Sequence, residues 1–181
     1  HQCYLEPHGA IARIESSGRI TVWKNTQGQF IARGEIARIM GVPLSHIRII
    51  PTEIGGGFGG KLSILLAPVC ILLAQKSGKP VKIVLTREEE FMATRPRHAA
   101  IVEMKTGVRK DGTLISRKSR TIIDSGAYTD FGLGAATRTA LTARGPYLIP
   151  NVKLEACCVY TNKVPGGAFR APGAPQITFA I

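Results

Sequence analysis

Two stretches near the start of the chain, GAIARIES (9–16) and RITVWKN (19–25), alternate apolar and polar residues on either side of SSG. A period of two turns one face of each stretch toward a core, and the Ser-Ser-Gly joint predicts a β-hairpin. In GQFIARGEIARIMG (28–41) the period changes. Phe30, Ile31, Ile36, Ile39 and Met40 recur near helical spacing, with Gly41 placed as a C-cap and Pro43 closing the element. HIRIIPT (46–52) reads as a short strand. A glycine run follows, and then LSILLAPVCILLAQKS (62–77) is apolar along most of its length, predicting a buried helix from about Leu62 to Ser77 capped by Gly78.

The second half continues in the same mixed way. PVKIVLT (80–86) is strand-like, and Thr86 with Glu89 three residues on is a capping box for REEEFMAT. AAIVEMKTGVR (99–109) and TLISRKSRTIID (113–124) flank KDG, a hairpin signal. Residues 126–146 are rich in Gly, Ala and Thr and read as a loop. VKLEACCVYTN (152–162) is a last strand, and VPGGAFRAPGAPQ (164–176) is a second Gly/Pro-rich loop that leads into a C-terminal helix. Strands and helices are interspersed without a dominant βαβ repeat, so the expected fold class is α+β with a mixed β-sheet. The length of 181 residues suits one domain. The ends suggest a piece of a longer protein, cut on both sides: no initiating Met, and an apolar C-terminus that stops within a helix start.

The net charge of +12 permits an acidic partner. Its distribution argues against nucleic acid, because the basic residues are spread along the chain. In SRKSR (116–120) they fall on both faces of a strand, and aromatic residues for base stacking make up only 6%. The apolar run 62–74 contains Pro68 and is shorter than the roughly 20 residues a membrane helix needs. Cys3, Cys70, Cys157 and Cys158 show no C-x-x-C spacing. A zinc or iron–sulfur site and a disulfide framework are therefore not expected, and a reducing cytoplasm is the default compartment.

The sharpest local feature is IGGGFGGKLS (54–63). From Gly55 it reads G-x-x-x-x-G-K, one residue short of a phosphate-binding loop, with strand before and helix after. Leu62 stands where that loop needs a magnesium-binding hydroxyl. Ser63 would have to act as a displaced ligand, and the best acidic partner is Asp124 in TIIDSG. Five glycines around Phe58 also suit any ligand that must approach the backbone closely. The residues alone leave open a nucleotide-binding loop, a basic nucleic-acid module and another kind of ligand loop.

GGGFGGK (55–61) and GGAFRAPGAPQ (166–176) occur in this order with YLEPH (4–8), NTQGQ (25–29) and YLIPN (147–151). Together they resemble the molybdenum-binding large subunit of the xanthine dehydrogenase, aldehyde oxidase and carbon monoxide dehydrogenase family, over essentially the whole chain. The resemblance implies the first part of a molybdopterin-binding domain, and thus a single partial domain over 1–181. It implies hydroxylation of an aldehyde or an N-heterocycle with oxygen from water. The cofactor would be molybdenum held by the dithiolene of a molybdopterin, with the cytosine dinucleotide form open. Electrons would pass to [2Fe–2S] clusters and FAD on other domains or subunits of a hetero-oligomer.

Residue by residue, Gln27 matches the glutamine that hydrogen-bonds an oxygen ligand of molybdenum, and Gly57, Phe58 and Gly59 match the loop whose backbone N–H groups face the cofactor. Ala168, Phe169 and Arg170 match the second cofactor loop. Arg138 falls at the spacing of an arginine that orients substrate in purine-oxidising members. No protein side chain would ligate the metal directly. The family's catalytic glutamate would lie outside this chain. Two departures, Leu62 for a glutamate and Pro172 for an aromatic, disfavour xanthine as substrate.

Overall fold

A computed structural model describes residues 1–181, which form two compact units, Gln2–Thr94 and Arg95–Ile181.

In the first unit, β1 (Gly9–Ile14) and β2 (Ile20–Lys24) form the expected hairpin. α1 (Gln29–Met40) leads to β3 (Ile47–Pro51). α2 (Ala67–Ser77), β4 (Val81–Val84) and α3 (Arg87–Ala93) complete the unit. The sheet order is β3-β2-β1-β4; β3 runs parallel to β2 and the other pairs are antiparallel. α1 and α2 pack on this sheet, each through a narrow stripe. α2 buries Ala67, Cys70, Ile71 and Ala74, spaced as one helical face, onto Ala10, Ala12 and Val22. Alanines on β1 let the helix approach closely, and each fully buried Ile in this core, Ile20, Ile36, Ile47 and Ile71, contributes about 2 kcal/mol.

Two caps act as the sequence predicts. The Gly41 N–H donates to the Ala37 carbonyl from a left-handed conformation. Thr86 and Glu89 exchange both bonds of the capping box, Glu89 N–H to Thr86 Oγ1 at 3.2 Å and Thr86 N–H to Glu89 Oε2 at 2.8 Å.

The expected helix from Leu62 is corrected at its start. Gly60–Leu62 is a single 3-10 turn, residues 63–66 are irregular with Leu65 at φ 28°, and the α-helix begins at Ala67. Pro68 then sits in the first turn, where no helical N–H is lost. The stretch Gly60–Ser77 has the length and apolarity of a membrane span, yet this break and the buried stripe make its helical part a core helix.

In the second unit, β5 (Ala100–Val108) and β6 (Leu114–Gly126) form the KDG hairpin, and β7 (Asn151–Tyr160) adds in parallel to β6. The 126–146 stretch is not a plain loop: it contains α4 (Gly132–Thr142). α4 lays Ala135 and Ala136 on Ile123, and a Cβ at Gly132 would fall 2.7 Å from Cys158 Sγ. Contact with the sheet, rather than intrinsic propensity, makes this Gly- and Thr-rich segment helical. α5 (Ala174–Thr178) closes the unit. Cys157 and Cys158 point to opposite faces of β7, one exposed and one packed on the core.

Candidate cofactor-binding site

In the first unit, the glycine loop 55–61 and Gln27 form one constellation. Gln27 leaves β2 just before α1, and its N–H donates to the Lys61 carbonyl at 3.1 Å. Its side-chain Oε1 accepts from Gly59 N–H at 2.9 Å and Lys61 N–H at 3.2 Å. Those two donors fix which end of the amide is oxygen, so Nε2, a neutral N–H donor, is the end left to face outward. A Cβ at Gly57 would lie 2.6 Å from Gln27 Cδ, so only glycine lets the loop lie against this amide. Phe58 is held at φ 48°, between Gly56 at 95° and Gly59 at 96°, and its ring is 46% exposed. A non-glycine residue in this region costs energy that the surrounding contacts must offset, as at ligand-binding turns.

The loop is buttressed from beneath by Tyr4, Glu6 and His8. Lys61 is fully buried. Its Nζ donates to Glu6 Oε2 at 2.5 Å and lies 4.7 Å from the centre of the Tyr4 ring. The same Glu6 oxygen accepts from Gly55 N–H at 2.8 Å. Burial works to raise the Glu6 carboxyl, but Lys61 and the Gly55 N–H together hold it below its ordinary value.

Fully buried Glu90 joins the other two residues. Tyr4 Oη donates to its Oε1 at 2.7 Å, and His8 N–H donates to its Oε2 at 2.8 Å. His8 Nδ1 lies 2.7 Å from Glu90 Oε1, and His8 Nε2 lies 3.1 Å from the Gly60 carbonyl. That carbonyl can only accept, so Nε2 carries a hydrogen. Burial raises the Tyr4 hydroxyl well above its usual range, with Glu90 adding to it.

These contacts decide against a nucleotide loop. A phosphate-binding lysine must reach its anion, whereas Lys61 is sealed in and paired with Glu6. The turn after it is 3-10, Ser63 gives its carbonyl to Lys24 Nζ at 2.8 Å, and Asp124 is engaged by Lys163 and Thr161.

In the second unit, residues 166–176 form the other loop. Gly167 bridges to Arg97 and donates its N–H to the Pro96 carbonyl at 2.9 Å. Arg97 organises the turn: its guanidinium lies 4.6 Å from the Phe169 ring centre and donates to the Arg170 carbonyl at 3.0 Å and to Gln176 Oε1 at 3.2 Å. Ala168 is buried, while Arg170 at φ 25° and Ala171 at φ 56° form an exposed, left-handed corner. The Gly166 backbone packs directly on the buried ring of His98. Arg138 lies on α4 with its guanidinium 5.5 Å from the Phe131 ring centre. Its neighbour Thr139 bonds the Gly173 carbonyl at 3.3 Å, which brings that helix against the second loop.

The structure thus brings Gln27 together with Gly57, Phe58 and Gly59 in one unit, and Ala168, Phe169 and Arg170 near Arg138's helix in the other. Sequence reasoning missed Glu6, Lys61, His8, Glu90 and Arg97. For Glu6 and His8 the signal was present: YLEPH places them with Tyr4 at alternate positions.

The model of the molybdopterin cofactor-binding domain matches residues 1–181. The chain belongs to this family. It is 40% identical to the nicotinate dehydrogenase large molybdopterin subunit of Eubacterium barkeri, over 96% of the chain and 41% of that subunit. The aldehyde oxidoreductase of Desulfovibrio gigas superposes with a TM-score of 0.91 at 30% identity, covering 96% of the chain and 19% of the enzyme. Quinoline 2-oxidoreductase from Pseudomonas putida 86 superposes with a TM-score of 0.85 at 29% identity, covering 95% of the chain and 22% of the enzyme. The chain therefore spans less than half the length of each of these relatives.

Proposed function

We propose that this chain supplies two cofactor-facing loops of a molybdenum hydroxylase, which hydroxylates an aldehyde or an N-heterocycle. The observation that carries this reading is the Gln27–glycine loop constellation, in a chain matched throughout by a cofactor-binding family. The residues suit the group. Oriented amide donors and a strained, close-packed glycine backbone can meet a bulky, electron-rich cofactor without adding charge. When bound, the molybdenum cofactor supplies two-electron oxidation chemistry.

The chain's own part is positional. Gln27 Nε2 and the backbone N–H groups of Gly57 and Phe58 present fixed dipoles where negative charge develops, the logic of an oxyanion hole, while the Gly59 N–H holds Gln27 Oε1 in place. Phe58 excludes water from that approach. Ala168, Phe169 and Arg170, braced by Arg97, form a second contact, and Arg138 serves substrate orientation. The Leu62 side chain offers no hydrogen bond and Pro172 is buried without an aromatic face, which disfavours xanthine as the substrate. Iron–sulfur and FAD partners would take the electrons, in a cytoplasm that keeps thiols reduced.

The test is molybdenum content by elemental mass spectrometry on the full-length parent protein, purified with its partners from cells shown to make the cofactor. Stoichiometric molybdenum is the expected result. Metal-free protein from such cells overturns the proposal.

A further inference from the structure

The loop 55–61 has little hydrogen bonding of its own: Gly60 N–H to the Gly57 carbonyl at 2.7 Å and Leu62 N–H to the Gly59 carbonyl at 3.4 Å. Something outside it must fix a backbone with this many glycines. The segment Tyr4–His8 does so through alternate side chains. Tyr4 walls off the loop, since a Cβ at Gly56 would come within 2.8 Å of it and one at Gly60 within 2.9 Å. His8 meets the Gly60 carbonyl, and Glu6 meets both ends of the loop at once.

One oxygen carries that last contact. Glu6 Oε2 accepts from Gly55 N–H, where the loop begins, and from Lys61 Nζ, where it ends. The Glu6 N–H returns a bond to the Gly55 carbonyl at 3.2 Å. Lys61 has no solvent to fall back on, and a buried ammonium that loses its partner is strongly unfavourable. The pair is therefore a closed clasp. Lys61 holds Glu6, Glu6 holds Gly55, and Gln27 Oε1 holds Gly59 and Lys61 from the other side.

We propose that Glu6 is a positioning residue, which acts through Lys61 and Gly55 to set the angle at which the Gly57–Gly59 backbone faces the cofactor. The role toward the cofactor rests on the molybdenum hydroxylase reading; the clasp itself does not. The lysine that ends the glycine run is then a structural counter-ion, which explains why a phosphate-loop pattern appears in a chain that does not use it for phosphate.

The experiment compares Glu6→Gln with the double variant Glu6→Gln/Lys61→Met in the full-length parent protein. Glu6→Gln keeps an acceptor for Gly55 N–H but leaves Lys61 buried without a counter-ion; the double variant removes both charges. Amide hydrogen exchange is followed for the peptide spanning the loop. The molybdenum EPR spectrum of the dithionite-reduced holoenzyme is recorded alongside. In Glu6→Gln, loop exchange should rise on the order of 100-fold, the size expected when a buried pair loses one partner, and the EPR line pattern should change. The double variant relieves the unpaired charge but still lacks the Lys61–Glu6 bond, so it should accumulate with loop exchange still raised and the EPR pattern still changed.

Wild-type exchange in Glu6→Gln, or wild-type exchange and EPR pattern in the double variant, overturns the clasp. If Glu6→Gln alone does not accumulate, accumulation of the double variant with an unprotected loop supports the clasp, and a protected loop in it, or failure of both variants, overturns it. Changed exchange with an unchanged EPR spectrum overturns the positioning role toward the cofactor. Absence of molybdenum from the wild-type protein defeats the functional reading separately, while the exchange data still decide the clasp.

Discussion

Gln27 performs two tasks with the two ends of one amide. Oε1 anchors the loop through Gly59 and Lys61, and Nε2 is the donor presented outward. Glutamate separates them. Gln27→Glu keeps an oxygen toward both N–H groups but loses the donor and adds charge. It should leave loop hydrogen exchange near wild type while turnover by the parent enzyme falls about 10²–10³-fold, the usual loss for one oriented donor. Gln27→Ala should lose both turnover and loop protection. Equal turnover in Gln27→Glu and wild type would remove the donor role. Gln27 and the loop were identifiable from NTQGQ and GGGFGGK. The bond that joins them was not, because it spans 32 positions in the chain.

At the scale of the element, α1 shows how two glycines in one segment differ. Gly34 lies exposed in the helix interior, with nothing within 4 Å of an added Cβ. Gly41 has equal space but sits at φ 66° as the C-cap. Gly34→Ala should raise stability by about 0.5–1 kcal/mol, because it removes chain entropy without strain. Gly41→Ala should lower stability by about 1–2 kcal/mol through its left-handed backbone. Denaturant unfolding midpoints of the two variants test both signs. The helix itself was legible from its spacing, yet the stripe it buries is Ala32, Ile36 and Ala37, while Phe30, Ile31 and Ile39 remain exposed. Periodicity gives the element and not which neighbour covers it. α4 was missed for the converse reason: its Gly and Thr residues have weak helix preference, and the surface of β6 and β7 supplies what they lack.

Across the whole molecule, titration links charge to folding, and one group in each unit sets a limb. In the second unit, hydrogen bonds from Lys163 and Thr161 hold Asp124 down to about 2. Its contribution is present above the ordinary aspartate range and is lost as pH falls through that value. In the first unit, burial lowers Lys24 to about 8, with Glu35 working against the shift. Between pH 8 and the ordinary lysine range the unfolded chain holds a proton that the folded chain has released, so stability rises with pH. For this one group the slope is at most about 1.4 kcal/mol per pH unit. Unfolding followed from pH 7 to 10 should show that rise, and Lys24→Met should flatten it. An identical slope in the variant would show that Lys24 does not carry it.

By itself the sequence determined what is written in short-range patterns: the two hairpins, α1, the Thr86–Glu89 cap, the α+β class and the two glycine-rich loops. Each follows from spacing or turn chemistry within about a dozen residues. It also carried enough motif to point to the molybdopterin-binding family. Only the tertiary structure decided what the lysine after the glycines does, where α2 begins, that 132–142 is a helix, and that Arg97 braces the second loop. Those outcomes depend on which groups are buried together. A buried ammonium must find a carboxylate, a weak helix must find a surface, and a strained turn must find donors, and the partners that meet those needs lie far away in the chain.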